Sequence, residues 1–145
     1  SISDGAAAVV LTRESVAKEN GQEPVAKIVA MAAHAQEPSE FTVAPIGAIE
    51  KVLDKAGWSA DEVDLWEVNE AFACVAMFAM RGIGIPHEKI NVNGGGTALG
   101  HPIGASGTRI IVTLLNALKN KGKKRGIASL CIGGGEATAV AVELV

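Results

Sequence analysis

Apolar positions in this chain follow two rhythms, short near-continuous runs and longer stretches in which apolar residues recur every three to four positions. The first run, DGAAAVVLT (4–12), has the profile of a buried strand and leads into RESVAKENG, a short helix ended by Gly21. VAKIVAMAAHA (25–35) predicts a second strand, and the polar EPSEFTV (37–43) a loop. In APIGAIEKVLDKAG (44–57), Ile46, Ile49, Val52 and Leu53 share one helical face and Gly57 provides the stop. Ser59 and Glu62 have capping-box spacing, but the helix they would open is cut short by a strand, DLWEV (64–68). NEAFACVAMFAMRG (69–82) predicts a helix closed by Gly82, and KINVNG (89–94) another strand. Residues 105–119 predict a helix with Ile110, Ile111, Leu114, Leu115 and Leu118 turned inward. RGIASLCIG (125–133) and ATAVAVELV (137–145) are closing strands, so few residues apart that they should pair antiparallel. The alternation predicts an α/β layer fold, a βαβαβαββ unit whose mixed sheet is covered by helices. A faint internal echo links DGAAAVVLT with GEATAVAVEL, each an acid followed by a small-apolar strand.

Composition narrows the class. With 48% apolar and 20% charged residues, the 145-residue chain is large enough for one real core and reads as globular. Tyr is absent and only three Phe and two Trp occur, so Ala, Val, Ile and Leu must build that core. A net charge of −3 gives no electrostatic reason to expect nucleic acid. No apolar run reaches the roughly 20 residues of a membrane span, and the opening SISDGAAAVVL lacks the basic lead-in of a signal peptide. The chain does not begin with Met, which suggests a cut or processed polypeptide. Two cysteines are too few for a disulfide framework and lack zinc-site spacing, so a reducing cytoplasm is the simplest compartment and no metal is expected.

Three stretches could carry chemistry. The glycine-rich NVNGGGTALGHPIGASG (91–107) fails as a P-loop, because Gly107 is followed by Thr108 and Arg109 rather than Lys and Ser or Thr. The dinucleotide fingerprint fails too, since Gly82 and Gly84 would need glycine where His87 stands. Glycines do allow close backbone approach and free N–H groups. A helix starting near Ala105 would aim its positive end at His101, favouring a neutral ring able to act as base or hydrogen-bond donor. The plainer reading is a histidine on a surface loop. In SLCIGGGEA, Cys131 ends a strand at the sheet edge where catalytic groups often sit, and the N–H of Gly133 could help form an oxyanion hole. The plainer reading there is a buried structural cysteine, which is also how Cys74 reads in mid-helix. In VNEAFA, Asn69 reads as a helix N-cap with Glu70 complementing the dipole, and alternatively as a residue orienting substrate or water. His34 and His87 have no such context.

Together, NEAFA (69–73), NGGGTALGHPIGASG (93–107) and CIGGG (131–135) resemble, in order, the carboxyl-terminal half of thiolases. SDGAAAVVL and KAGWSADEVDLWEVNEAFA extend the resemblance over nearly the whole chain. Ketoacyl synthases share the loop around His101 but lack the element at Cys131 to Gly133. The resemblance implies a thiolase-like fold, with residues 1–21 ending the amino-terminal domain and 22–145 forming the carboxyl-terminal one. It implies acyltransferase activity, namely Claisen condensation of acyl-CoA with acetyl-CoA or the reverse thiolysis of 3-ketoacyl-CoA. Acyl-CoA and CoA are then substrates and no cofactor is needed. By the same resemblance, His101 activates the nucleophile and helps hold a thioester oxygen, Cys131 moves the α-proton, Asn69 holds a water in one oxyanion hole, and the Gly133 N–H serves a second. Phe72 and Ala71 would line the substrate pocket. The family's acylated cysteine and most of its CoA loop belong to the amino-terminal half, so this chain alone should be inactive. That half is an implied partner, as is assembly into a homodimer or tetramer. The segment before APIGAI lacks the glycine-rich approach expected of biosynthetic acetoacetyl-CoA thiolases, which leaves chain length open. The competing readings are a non-catalytic CoA-binding or oligomerisation module and a ketosynthase-like fragment.

Overall fold

A computed structural model describes residues 2–145. Its elements are α1 (Glu14–Glu19), β1 (Ala26–Ala35), α2 (Ala44–Ala56), β2 (Leu65–Val68), α3 (Ala73–Ile83), α4 (Gly96–Leu99), α5 (Ser106–Asn120), β3 (Arg125–Ile132) and β4 (Glu136–Leu144). The four strands form one mixed sheet in the order β1-β4-β3-β2, with β2 parallel to β3 and the other pairs antiparallel.

Side-chain alternation along the strands divides the core between two faces. On one face α2 and α3 cover Trp66, Val68, Ile127, Cys131, Ala139 and Ala141. Ile49 and Val52 of α2 are fully buried there, as the predicted helical face required. On the other face Ile110, Leu114 and Leu118 of α5 meet Leu65, Ala128 and Val142. Complete burial of each such aliphatic side chain contributes about 1.5–3 kcal/mol. The α5 face is only half covered. Beside the helix lies an apolar groove of about 520 Å³ lined by Met31, Ala33, Ile111, Leu130 and Val140, among others.

Two expected strands do not form. Residues 4–12 run as irregular chain with Val10 95% and Leu11 72% exposed. An apolar run becomes a strand only against a neighbour, and none of the described residues pairs with it. The KINVNG strand shrinks to a single parallel bridge between Ile90 and Trp66. Asn91 explains why. Its φ of 47° is the left-handed conformation that Asn tolerates and a strand cannot contain. Its side-chain amide replaces the ladder instead, accepting from the Val68 N–H at 2.9 Å and donating to the Val68 carbonyl at 2.8 Å.

One glycine assignment also changes. The α3 helix ends at Gly84 (φ 81°), not Gly82. Gly82 lies inside the helix because a Cβ there would sit 2.6 Å from the Ile46 side chain of α2, so it sets the approach of the two helices. Gly57 does stop α2 in the left-handed conformation, and the Ser59–Glu62 capping box is formed, on a single 3-10 turn. No helix among the described residues is long and apolar enough to cross a membrane.

Candidate functional site

The carboxyl ends of β2 and β3 define the site. Asn69 follows β2 and donates its backbone N–H to the Ser129 carbonyl at 2.9 Å, which ties it to β3 two residues before Cys131. It is not the helix N-cap expected from position alone. Phe72 caps α3, and Asn69 is 99% buried before the turn that leads there. Glu70 does not serve the helix dipole either. Its carboxylate accepts from Asn91 Nδ2 at 2.8 Å and from the Thr97 N–H at 3.0 Å. Burial pushes the Glu70 carboxyl up, but hydrogen bonds from Thr97 and Asn91 outweigh it and hold the carboxyl below its ordinary value.

This contact explains the glycines. Gly95 and Gly96 lie directly on Glu70. A Cβ on Gly95 would overlap the Glu70 carboxylate, and one on Gly96 would lie 2.8 Å from its backbone carbonyl. Gly94 and Gly100 take positive φ on either side of the single-turn α4. The loop is thus pressed onto the residue following Asn69, and His101 is delivered beside it. Because the Glu70 backbone cannot yield cheaply, Gly96→Ala is expected to cost about 1–3 kcal/mol, as overpacking does. Urea denaturation checks this; a loss below about 0.5 kcal/mol would show that the contact is not tight.

His101 sits in a chain of hydrogen bonds. Asn69 Nδ2 lies 3.5 Å from Nε2, and Nδ1 lies 2.6 Å from Ser106 Oγ. The Ser106 hydroxyl donates to the Pro102 carbonyl at 3.0 Å, while Arg109 Nη2 donates to Asn69 Oδ1 at 3.4 Å. These partners place the protons. Arg109 can only donate, so it meets the Asn69 oxygen, and the amide NH2 faces Nε2. Ser106 spends its hydrogen on Pro102, so its oxygen accepts from Nδ1–H. In a neutral ring these partners assign the proton to Nδ1 and the lone pair to Nε2. Behind Asn69, the buried Glu67 carboxylate lies 3.6 Å from Arg109 Nη1. Burial pushes Glu67 up to about 7, against the pull of Arg109, with Glu70 adding to the rise.

Cys131 shares this sheet edge but faces the α2/α3 side, where it is 93% buried in the core cluster that Ala71 also borders. No hydrogen bond joins it to His101 or Asn69 among the described residues. Burial pushes its thiol up, and the thiol of Cys74 acts in the same direction. Gly133 is exposed in the β3–β4 turn, with open space where a Cβ would be. The Phe72 ring is 59% exposed and meets Phe41 edge-on at 6.1 Å. Beside the His101 loop, a cleft of about 400 Å³ is lined by Pro102–Ala105 and residues 3–7, with Gly5 packed against the Pro102 ring.

Residues 22–144 match the profile of the thiolase C-terminal domain. The chain belongs to the thiolase family. An acetyl-CoA acetyltransferase of Allochromatium vinosum is 51% identical over 98% of this chain, and the cytosolic acetyl-CoA acetyltransferase of Mus musculus is 49% identical over the same share. This thiolase domain spans 36% of the length of either relative. Among solved structures, the acetyl-CoA acetyltransferase of Bacillus anthracis superposes with a TM-score of 0.89 at 44% identity, covering 91% of this chain and 34% of that one. Human mitochondrial 3-ketoacyl-CoA thiolase in complex with CoA gives 0.88 at 41% identity, again covering 91% and 34%. The four-stranded mixed sheet with its helices is thus a thiolase fold.

Three residues of the candidate site, Glu67, Ser106 and Arg109, are given no role by the sequence alone. Two carried a signal. Glu67 is a charge inside a strand whose four residues are all buried. Arg109 is a cation in the first turns of α5, where the helix dipole opposes it. Ser106 carried none beyond its helix-start position.

Proposed function

We propose that this chain supplies the proton-handling half of a thiolase active site, acting on acyl-CoA within a polypeptide that also contributes an acylated cysteine. The observation that supports this reading is the placement of His101, with Nε2 at 3.5 Å from the Asn69 amide and Nδ1 at 2.6 Å from Ser106 Oγ, which in a neutral ring leaves the lone pair on Nε2. Such a nitrogen can take the proton of a nucleophilic thiol from the partner half. The thiolate adds to the acyl-CoA carbonyl, the bond to the CoA sulfur breaks, and the proton passes from Nε2 to that sulfur. In the second half-reaction Cys131, as its thiolate, removes an α-proton of acetyl-CoA. The resulting carbanion bonds to the acyl carbon, the thioester to the enzyme breaks, a 3-ketoacyl-CoA leaves, and the freed thiolate of the nucleophilic cysteine takes the proton from Cys131. Thiolysis runs these steps backward.

Burial raises the Cys131 thiol, so it rests protonated at neutral pH, and its thiolate is a strong base once formed. Asn69, through a water, and the exposed N–H of Gly133 are the donors for the two developing oxyanions. Ala71 and Phe72 line the approach of the acyl chain. Residues 1–21 finish the amino-terminal domain, whose sheet would pair the exposed 4–12 run and whose body would cover the apolar groove beside α5. The domain boundary then falls near residue 22, and the assembled protein is a cytoplasmic homodimer or homotetramer.

Neither cysteine of this chain fits the acylated role. Cys74 lies in the first turn of α3, and Cys131 is committed to the second step. The isolated 145-residue chain is therefore expected to show no cleavage of acetoacetyl-CoA by CoA, whereas the full-length polypeptide should turn over. Thioester absorbance in steady state checks both. Enzyme-like thiolysis by the isolated chain would refute the divided site, and an inactive full-length polypeptide that still binds acetyl-CoA would favour a non-catalytic CoA-binding module.

A further inference from the structure

We propose that Arg109 is a positioning residue for acyl transfer, fixing the Asn69 amide so that its NH2 rather than its oxygen faces Nε2 of His101. The proposal rests on the reading of His101 as a base. An asparagine amide fits its site almost equally well in either flip, and the two flips have opposite consequences for the histidine. With the NH2 toward Nε2, that nitrogen must be an acceptor and the ring proton lies on Nδ1. With the oxygen toward Nε2, the proton moves to Nε2. The Ser106 hydroxyl must then leave the Pro102 carbonyl to donate to Nδ1. In that state the base has lost its lone pair. A guanidinium decides between the flips because all of its polar atoms are donors. Held 3.4 Å from Oδ1, Arg109 admits only the flip that leaves Nε2 free.

Glu67 holds the arginine there. Its carboxylate is 3.6 Å from Nη1, on a side chain 2% exposed, against 17% for Arg109. The pair makes a poor structural bridge. Among the described residues both Glu67 oxygens, and Nε and Nη1 of Arg109, lack a hydrogen-bond partner. A buried ion pair without satisfied geometry gains little stability over apolar residues of similar size. Among the described residues, the one hydrogen bond the guanidinium makes is to Asn69. The other requirements on β2 and α5, an apolar strand and a helix start, would each be met better by uncharged side chains. The charge on Arg109 is thus directed at the asparagine, and Glu67 supplies its counter-charge.

The test compares Arg109→Met, Arg109→Lys and the double variant Glu67→Gln/Arg109→Met with wild type in the full-length polypeptide. The double variant removes both charges and leaves no lone buried ion, so it reports even if Arg109→Met alone fails to fold. Two readouts are used, steady-state kinetics with acetoacetyl-CoA and CoA, and the ring 15N shifts of His101 in histidine-labelled protein. Arg109→Met and the double variant should lower kcat about 10–100-fold, the range for losing a residue that orients an active group, with KM nearly unchanged. In both, the 15N shift of Nε2 should move from the unprotonated toward the protonated type. Arg109→Lys, which still donates to Oδ1, should recover the wild-type shift and much of kcat. A folded variant without Arg109 that keeps the wild-type shift overturns the proposal, as does one that keeps wild-type kcat. The NMR readout does not require turnover. Loss of acyl transfer in wild type would overturn the function proposed above, while the 15N shifts still decide whether Arg109 sets the tautomer.

Discussion

Cys131→Ala in the full-length polypeptide is expected to abolish condensation while leaving the acyl-enzyme to form. The α-proton of a thioester is weakly acidic, so carbanion formation depends on a positioned base, and removing one costs about 10²–10⁴-fold. Cys131 supplies the only buried thiol among the described residues, at the carboxyl edge of β3, with its proton held more tightly than in water. On the proposed mechanism acylation uses a different cysteine and a different base, so mixing the variant with acyl-CoA should still release CoA in a single stoichiometric burst. Intact-protein mass spectrometry would show the acyl group retained. Condensation within tenfold of wild type would remove Cys131 from the proton-transfer role. The alanine fits the Cys131 volume closely enough that a folding defect is not expected to confuse the result.

His101→Ala should strike earlier and harder. On the proposed mechanism the attacking thiol keeps its proton when Nε2 is removed. General-base loss is about 10²–10⁴-fold, so acylation is expected to fall by about 10³-fold. No CoA burst should be seen, in contrast to Cys131→Ala. The histidine is only half-buried and its side-chain hydrogen-bond partners are Asn69 and Ser106, so the urea midpoint should stay close to wild type. A burst retained at more than a tenth of the wild-type rate would assign activation of the nucleophile to another group. The two variants together separate the half-reactions, one failing before the acyl-enzyme and the other after it.

Much of the framework is a matter of local rules. The three long helices, the antiparallel closing hairpin, the stop at Gly57 and the Ser59–Glu62 box follow from periodicity and cap chemistry within a few residues of each feature. The failures are local too. Residues 4–12 carry a strand pattern with no neighbour to pair, and the 89–94 strand gives way because Asn91 adopts φ of 47° and bonds with its side chain. A glycine at the end of a helical pattern reads as a stop, and Gly82 has that place. The reason for it lies instead on α2, in the side chain of Ile46.

What the sequence determined by itself is the layered α/β plan and, through the joint resemblance of the stretches at 69–73, 93–107 and 131–135, the thiolase family. What only the tertiary structure decided is the meaning of single residues in those stretches. Asn69 caps no helix and faces His101, 32 positions away, and Arg109, 40 positions away. Glu70 is the anvil for Gly95 and Gly96, and Asn91 extends β2 with an amide. Periodicity reports which way a side chain points within its own element. It carries no record of which distant group will stand opposite, and proton position, burial and amide orientation all depend on that partner.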